Sequence, residues 1–401
     1  MTNQTDPVVI CAAARTPMGA FQGEFSSLPA TALGSIAIKA AIERAAIAGS
    51  AVDEAYMGCV LPAGLGQAPA RQAALNAGLP RSVTCTTVNK MCGSGMKAVM
   101  LGFDALMAGS ATAVVAGGME SMTNAPYLLA KARGGYRIGN DRIFDHMMLD
   151  GLEDAYDIGP DGARKSMGTF GENCASKYGF TRAQQDEFAI RSVVRAQQAA
   201  SSGGFDWEIA PVVLAQKSGA VTVSSDEGPR RINADKIAGL RPAFDKNGTI
   251  TAASSSSIND GAAALVLMRQ STASSLDAPI LARVLGHSSH AQEPAWFTTA
   301  PIDAIRKLQE KVGWAIPDVD LFEVNEAFAV VAMAAQTELG IPGEKLNIHG
   351  GACALGHPIG ASGARIIVTL LGALRATGGR RGIASLCIGG GEATAVAIEL
   401  A

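Results

Sequence analysis

Asn89-Lys-Met-Cys-Gly-Ser-Gly-Met-Lys97 stands between two kinds of periodicity. Before it, Thr84–Asn89 is a strand-sized run. After it, Met96, Val99, Met100, Phe103, Leu106 and Met107 recur at helical spacing. Cys92 therefore sits where a strand turns into a helix, with glycines on its C-terminal side. A second copy of the pattern follows far downstream, where Gly360-Ala-Ser-Gly-Ala-Arg365 opens another apolar helix. Each helix is followed by a strand that ends in glycines, Val114-Val-Ala-Gly-Gly118 and Leu386-Cys-Ile-Gly-Gly-Gly391. Two related halves are the simplest reading.

Working outward from Cys92, strand-like runs alternate with helical ones. Val8–Ala13, Glu54–Leu61 and Ala111–Gly117 read as strands, with helices over Ala30–Ala48 and near Pro69–Ala77. The alternation returns after residue 250 with strand candidates Ala262–Met268, Pro279–Gly286, Asp320–Val324, Gly382–Cys387 and Ala393–Leu400. Such alternation implies an α/β protein, a mostly parallel sheet with helices on both faces. Between 121 and 250 the texture changes to clusters of Gly, Asp, Arg and Ser, as in Arg133-Gly-Gly-Tyr136 and Gly159-Pro-Asp-Gly162. One helix interrupts it, with Thr181 as N-cap, Gln184 three residues on, and Gly203-Gly204 at its end. The expected organisation is an N-terminal core (1–120 with 251–270), a loop domain (121–250) that shapes a binding site, and a C-terminal core (271–401). The two α/β halves are stacked in layers.

The bulk properties narrow the function. At 401 residues the chain exceeds one simple core, and 48% hydrophobic against 17% charged residues means much of it is buried. A net charge of −3, from 33 basic and 36 acidic residues, argues against a nucleic-acid partner. The apolar runs 113–117 and 262–268 are strand-sized and too short to span a bilayer. The opening residues, Met1 to Pro7, have neither a basic, apolar leader nor an Arg-rich amphipathic helix, so a cytoplasmic location is expected. Seven scattered cysteines without a CxxC pair give no disulfide framework and no metal site.

At the head of a helix, backbone N–H groups and the helix dipole are expected to favour a Cys92 thiolate. On position alone the residue reads equally as a nucleophile or a buried structural cysteine. His357 shifts that balance. One of five histidines, it lies in His349-Gly-Gly-Ala-Cys-Ala-Leu-Gly-His-Pro-Ile-Gly-Ala-Ser-Gly363, the place in the second half that Cys92 holds in the first. A pseudo-twofold relation would bring base and nucleophile together, as thiol activation requires. Cys387 ends a strand before three glycines that leave N–H donors open. Glu392 beyond it reads as a strand-end charge. Asn325, in Asn325-Glu-Ala-Phe328, ends another strand and faces the crevice where open α/β sheets bind ligands.

Together these segments resemble the thiolase family over nearly the whole chain. The resemblance runs through Arg15-Thr-Pro-Met-Gly19, Gly117-Gly-Met-Glu-Ser121, Asn259-Asp-Gly-Ala262, the Asn325 motif, Gly356-His-Pro-Ile-Gly360 and the Cys387 loop. It implies a thiolase-like fold of the biosynthetic type, an acyltransferase joining two acetyl-CoA into acetoacetyl-CoA plus CoA, and the reverse thiolysis. Cys92 would carry the acyl group, His357 would take its proton, and Cys387 would act as the general acid and base. One oxyanion hole would use His357 and a water held by Asn325, the other the N–H groups of Cys92 and Gly389.

The resemblance also implies CoA contacts at Ser256, Phe244, Ala252, Met167, Leu152, Ala327 and Phe328, and Arg230 near the nucleotide end, where a solvated charge is the alternative. It implies no metal, no organic cofactor beyond the CoA substrates, and a homotetramer built as a dimer of dimers. His349 stands where many members carry Asn or Gly and reads as structural support. Ser166, in Ser166-Met-Gly168, stands where short-chain members carry a histidine that holds the pantetheine, which leaves acyl length open. A broader 3-ketoacyl-CoA thiolase of fatty-acid degradation and a non-catalytic acyl-CoA-binding subunit are the alternatives. A decarboxylating ketoacyl synthase shares the fold but typically carries histidine where this chain has Asn325 and needs no Cys387.

Overall fold

The structure is a computed structural model that describes residues 6–160, 162–217 and 219–401. The reading of the first residues rests on 1–5, which lie outside the described residues, as does Asp161 of the Gly159–Gly162 cluster. Nine strands form one continuous sheet: β1 (Val8–Arg15), β2 (Glu54–Gly58), β3 (Thr84–Val88), β4 (Ala113–Ser121), β5 (Asn259–Arg269), β6 (Ala282–Ala291), β7 (Leu321–Val324), β8 (Arg381–Ile388) and β9 (Glu392–Leu400). Their order is β7-β8-β9-β6-β1-β5-β4-β2-β3, and the short strand Gly19–Ala20 pairs with β5.

The first half is β3-β2-β4-β5-β1 and the second β7-β8-β9-β6. Strands β2, β3 and β4 pair in parallel, as do β7 and β8. Strands β5 and β9 each run against both neighbours. By direction each half is therefore mostly parallel, with its reversed strand inside the order. A bridge from Phe322 to Leu346 supplies the second half with a counterpart of β3. The two strand orders then coincide, as the repeated sequence pattern requires. The halves join edge to edge through two residue pairs, Val9↔Arg283 and Ile10↔Ala282.

Along β5, Ala262, Ala264, Val266 and Met268 face one apolar cluster while Ala263, Leu265 and Leu267 face another. Both faces are covered, as a buried sheet requires. Helices α1 (Ala30–Ala45) and α2 (Pro69–Asn76) cover the outer face of the first half. Helix α3 (Ser94–Ala108) lies in the central layer. The insertion contributes α4 (Met167–Tyr178) and α5 (Arg182–Ser201) beside two-stranded ribbons. Thr181 and Gln184 close the capping box expected of α5. Helices α6 (Ala300–Val312) and α7 (Ala329–Leu339) cover the second half, and α8 (Ser362–Thr377) joins α3 in the central layer between both half-sheets. Among the described residues, no helix is long and apolar enough to cross a membrane.

The first turns of α3 and α8 touch backbone to backbone. A Cβ on Gly363 would lie 2.4 Å from the Met96 nitrogen, and one on Gly95 would lie 2.8 Å from that of Ala364. Only glycine allows this approach. It brings the turn that precedes each helix to the same place, and those turns carry Cys92 and His357.

Candidate active site

The Cys92 turn is tied shut by its own side chains. Ser94 Oγ accepts from the Lys90 amide (2.8 Å) and donates to the Met91 carbonyl (2.6 Å), while Asn89 Oδ1 accepts from the Met91 amide (3.0 Å). Met91 is held in the left-handed region (φ 47°), a conformation that persists in a non-glycine residue only when its surroundings impose it. Helix α3 starts two residues after Cys92, at Ser94, rather than at Cys92 itself. The amides of Gly389 and of Cys92 itself point at the Cys92 sulfur. Here the expected thiolate is corrected. Burial outweighs those two N–H groups and pushes the thiol up to about 11, with the charge of Glu120 adding to the rise. At neutral pH Cys92 is a thiol, so its proton must leave as it attacks.

His357 is arranged to receive that proton. Its Nδ1 lies 2.6 Å from Ser362 Oγ, and the Ser362 hydroxyl donates to the Pro358 carbonyl at 3.0 Å. The hydroxyl proton is thus spent, so Nδ1 must carry the ring proton and Nε2 the free lone pair. Nε2 is buried and has no hydrogen-bond partner among the described residues. Burial and then the Arg365 cation lower the imidazole to about 3, so it is neutral. Sequence reasoning missed Ser362, although it sits in the quoted glycine-rich motif.

Cys387 lies at the end of β8, fully buried. Burial holds its thiol well above the usual range, and the chain beside it packs on the Cys92 turn, where a Cβ on Gly93 would lie 2.4 Å from Ile388 Cδ1. Asn325 follows β7, with its amide bonded to the Ser385 carbonyl (3.0 Å). Both polar atoms of its side chain are buried without a hydrogen bond among the described residues. Buried polar groups are nearly always paired, so this amide is suited to a partner from outside the chain. Glu326 fixes the loop: it accepts from Ser192 Oγ (2.7 Å), Asn347 Nδ2 (2.8 Å) and the Cys353 amide (3.1 Å).

A cleft opens onto Cys92, His357 and Gly389, and Leu152, Met167, Ser256, Ala327 and Phe328 also line it. Cys387 and Asn325 are buried rather than part of its wall. Three nominated contacts lie elsewhere. Phe244 packs edge to face on Phe328 (5.8 Å between ring centres), and Ala252 is exposed on its loop. Arg230 commits its guanidinium to Glu24 (2.7 Å) and the Asp226 carbonyl (3.1 Å). Arg164 and Tyr156 instead reach the cleft, and nothing in the sequence distinguished them. Ser166 caps α4 by accepting from the Gly168 amide (3.2 Å). His349 packs edge to face on Phe205 (5.7 Å). Glu392 pairs with Lys90.

Residues 8–271 match the thiolase N-terminal domain and residues 278–400 the thiolase C-terminal domain, so the chain belongs to the thiolase family. Within that family it is similar to acetyl-CoA acetyltransferase 2 of Arabidopsis thaliana, at 51% identity over 98% of this chain and 97% of that one. The acetyl-CoA acetyltransferase of Escherichia coli strain K12 is 49% identical over 98% of both chains. The crystal structure of the Acat5 thiolase from Ascaris suum in complex with coenzyme A superposes with a TM-score of 0.91 at 40% identity, covering 98% of this chain and 100% of that one.

Proposed function

We propose that this chain is an acetyl-CoA C-acetyltransferase, which interconverts two acetyl-CoA with acetoacetyl-CoA and CoA. The observation that carries the reading is the convergence of two protonated thiols with a neutral imidazole whose Nε2 is free. That is the resting state thiolysis needs. The Cys92 proton moves to His357 Nε2 as the sulfur attacks the 3-keto carbon of acetoacetyl-CoA. The tetrahedral oxyanion is stabilised by the Cys92 and Gly389 amides. The C–C bond then breaks, and the Cys387 S–H protonates the departing carbanion to give acetyl-CoA. The Cys387 thiolate takes the proton of incoming CoA, whose sulfur attacks acetyl-Cys92. The second acetyl-CoA leaves, and His357 returns its proton to Cys92. Condensation is the reverse sequence, with Cys387 removing a proton from the methyl group of acetyl-CoA.

In this reading the thioester oxygen of the nucleophilic acetyl-CoA sits between His357 and a water held by the side chain of Asn325. The pantetheine arm follows the cleft past Met167, Ser256 and Phe328. Ser256 Oγ already donates to the Ala327 carbonyl (3.0 Å), which leaves its lone pairs for an amide N–H of the arm. Arg164, which lines the cleft, is the arginine assigned to the CoA phosphates in this reading, in place of Arg230. CoA thioesters are substrates, and the steps use no metal or organic cofactor. A cytoplasmic homotetramer, with residues 121–250 supplying CoA and subunit contacts, and a role in fatty-acid metabolism complete the proposal.

The test is thiolysis of acetoacetyl-CoA by the purified protein beside 3-ketohexanoyl- and 3-ketooctanoyl-CoA, with Cys387→Ala as control. Preference for the four-carbon substrate, lost in the control, is expected. Preference for the longer substrates would make the protein a broader 3-ketoacyl-CoA thiolase, and inactivity on all three would leave a binding subunit.

A further inference from the structure

Glu120 is a carboxylate that the mechanism above does not use. It lies at the end of β4 and is completely buried. Its Oε2 accepts from the amides of Val60 (2.9 Å) and Gly360 (2.8 Å), and its Oε1 accepts from the amide of Leu61 (3.1 Å) and from the Cys59 thiol (3.6 Å). Val60 and Leu61 follow β2 in the first half, whereas Gly360 belongs to the His357 loop of the second. Space there is closed: a Cβ on Gly360 would lie 2.6 Å from Glu120 Oε2, and one on Gly118 would lie 2.0 Å from the Gly360 carbonyl. Among the described residues no cation stands against Glu120. A buried carboxylate without a counter-ion is costly, yet three backbone N–H groups converge on its two oxygens, and only the charged form satisfies all of them, because a neutral carboxyl or amide would turn a donor toward one.

We propose that Glu120 is a positioning residue of the acyl-transfer reaction. Its carboxylate clamps the His357 loop onto the Cys92 side of the cleft and so holds His357 where it can take the Cys92 proton. The proposal rests on the acyl-transfer reading of the site. Burial and Arg365 hold His357 neutral at rest, and Arg365 is itself engaged by Glu323 at 3.8 Å. The other titratable groups around Glu120 are Cys59 at the end of β2, Cys92, His357 in the loop, and Asp260 on β5 next to its strand partner Gly261. Burial raises Glu120 to about 7. His357 at about 3 and Cys92 at about 11 lie far on either side. The charge is present above pH 7 and lost as pH falls through it, so turnover falls on the acid side.

The experiment compares wild type, Glu120→Gln and Glu120→Asp in acetoacetyl-CoA thiolysis between about pH 5.5 and 9, with circular dichroism to establish folding. Wild type is expected to show an acid limb near pH 7 in kcat. Glu120→Gln is expected to lose about tenfold or more in kcat at pH 8 with KM little changed, and to lose that limb. Glu120→Asp, which keeps the charge, is expected to recover part of the rate and the limb. A folded Glu120→Gln with wild-type kcat and pH profile would overturn the proposal, as would a wild-type profile flat between about pH 6 and 8. The second result decides the matter even where Glu120→Gln does not fold. Inactive wild type at every pH would instead overturn the acyl-transfer reading.

Discussion

The turn before α3 and the turn before α8 occupy equivalent places in the two halves, yet they are built differently. The Cys92 turn is closed by short-range bonds from Ser94 and Asn89 and bent at Met91. Its cysteine opens onto the cleft. The His357 turn is held from outside, through Ser257, Glu120 and the side chain of Asn259, against which Gly356 is packed. Its histidine is buried, with one nitrogen spent on Ser362. One local device, a glycine-rich turn ahead of an apolar helix, thus yields a self-supporting nucleophile on one side and an externally held base on the other. Their chemistry is complementary because burial keeps both neutral, one as a proton donor and the other as a proton acceptor.

The comparison breaks most completely at the nucleophile. Cys92→Ala is expected to reduce thiolysis by about a millionfold, to the level that binding alone supports, in a steady-state assay with acetoacetyl-CoA. Asn325→Ala removes the holder of the water in one oxyanion site only, and kcat is expected to fall about a hundredfold with KM less affected. Raising the pH sharpens the contrast at Cys92. Because burial places the thiol near 11, alkylation by iodoacetamide is expected to rise about a hundredfold from about pH 7 to 9. A plateau by pH 8 would mean that the helix N-terminus wins after all. Ser362→Ala frees Nδ1 to lose its proton and scrambles the tautomer, so kcat is expected to drop about tenfold at constant KM. Gly363→Ala tests the shared contact itself. Its Cβ would stand 2.4 Å from the Met96 nitrogen, and a loss of about 3 kcal/mol in denaturant unfolding is expected.

Local signals were readable where the physics is local. The capping box of α5 and the apolar stripe of α3 need only neighbours in sequence, and both are where the sequence places them. The pairing of Cys92 with His357 was readable because a repeated pattern encodes a symmetry. The reversed strands β5 and β9 were not, since a strand buried on both faces looks the same whichever way its neighbours run. The same limit hides Glu120, whose partners lie about sixty and two hundred and forty residues away. It also hides the bond of Arg230 to Glu24 and the approach of Arg164 to the cleft, because one surface arginine resembles another until its surroundings are in view. The state of Cys92 was misjudged for a related reason. Helix dipoles can be read from a motif, but desolvation depends on everything that packs around the sulfur.

The most direct test of the account is to mix the protein with acetyl-CoA, quench in acid and locate the acetyl group by peptide mass spectrometry. A single acetyl group on Cys92, present also in Cys387→Ala and absent in Cys92→Ala, is the predicted result. Acetylation of Cys387 instead, or an active protein that never carries an acetyl group on Cys92, would contradict the assignment of nucleophile and base on which the rest depends.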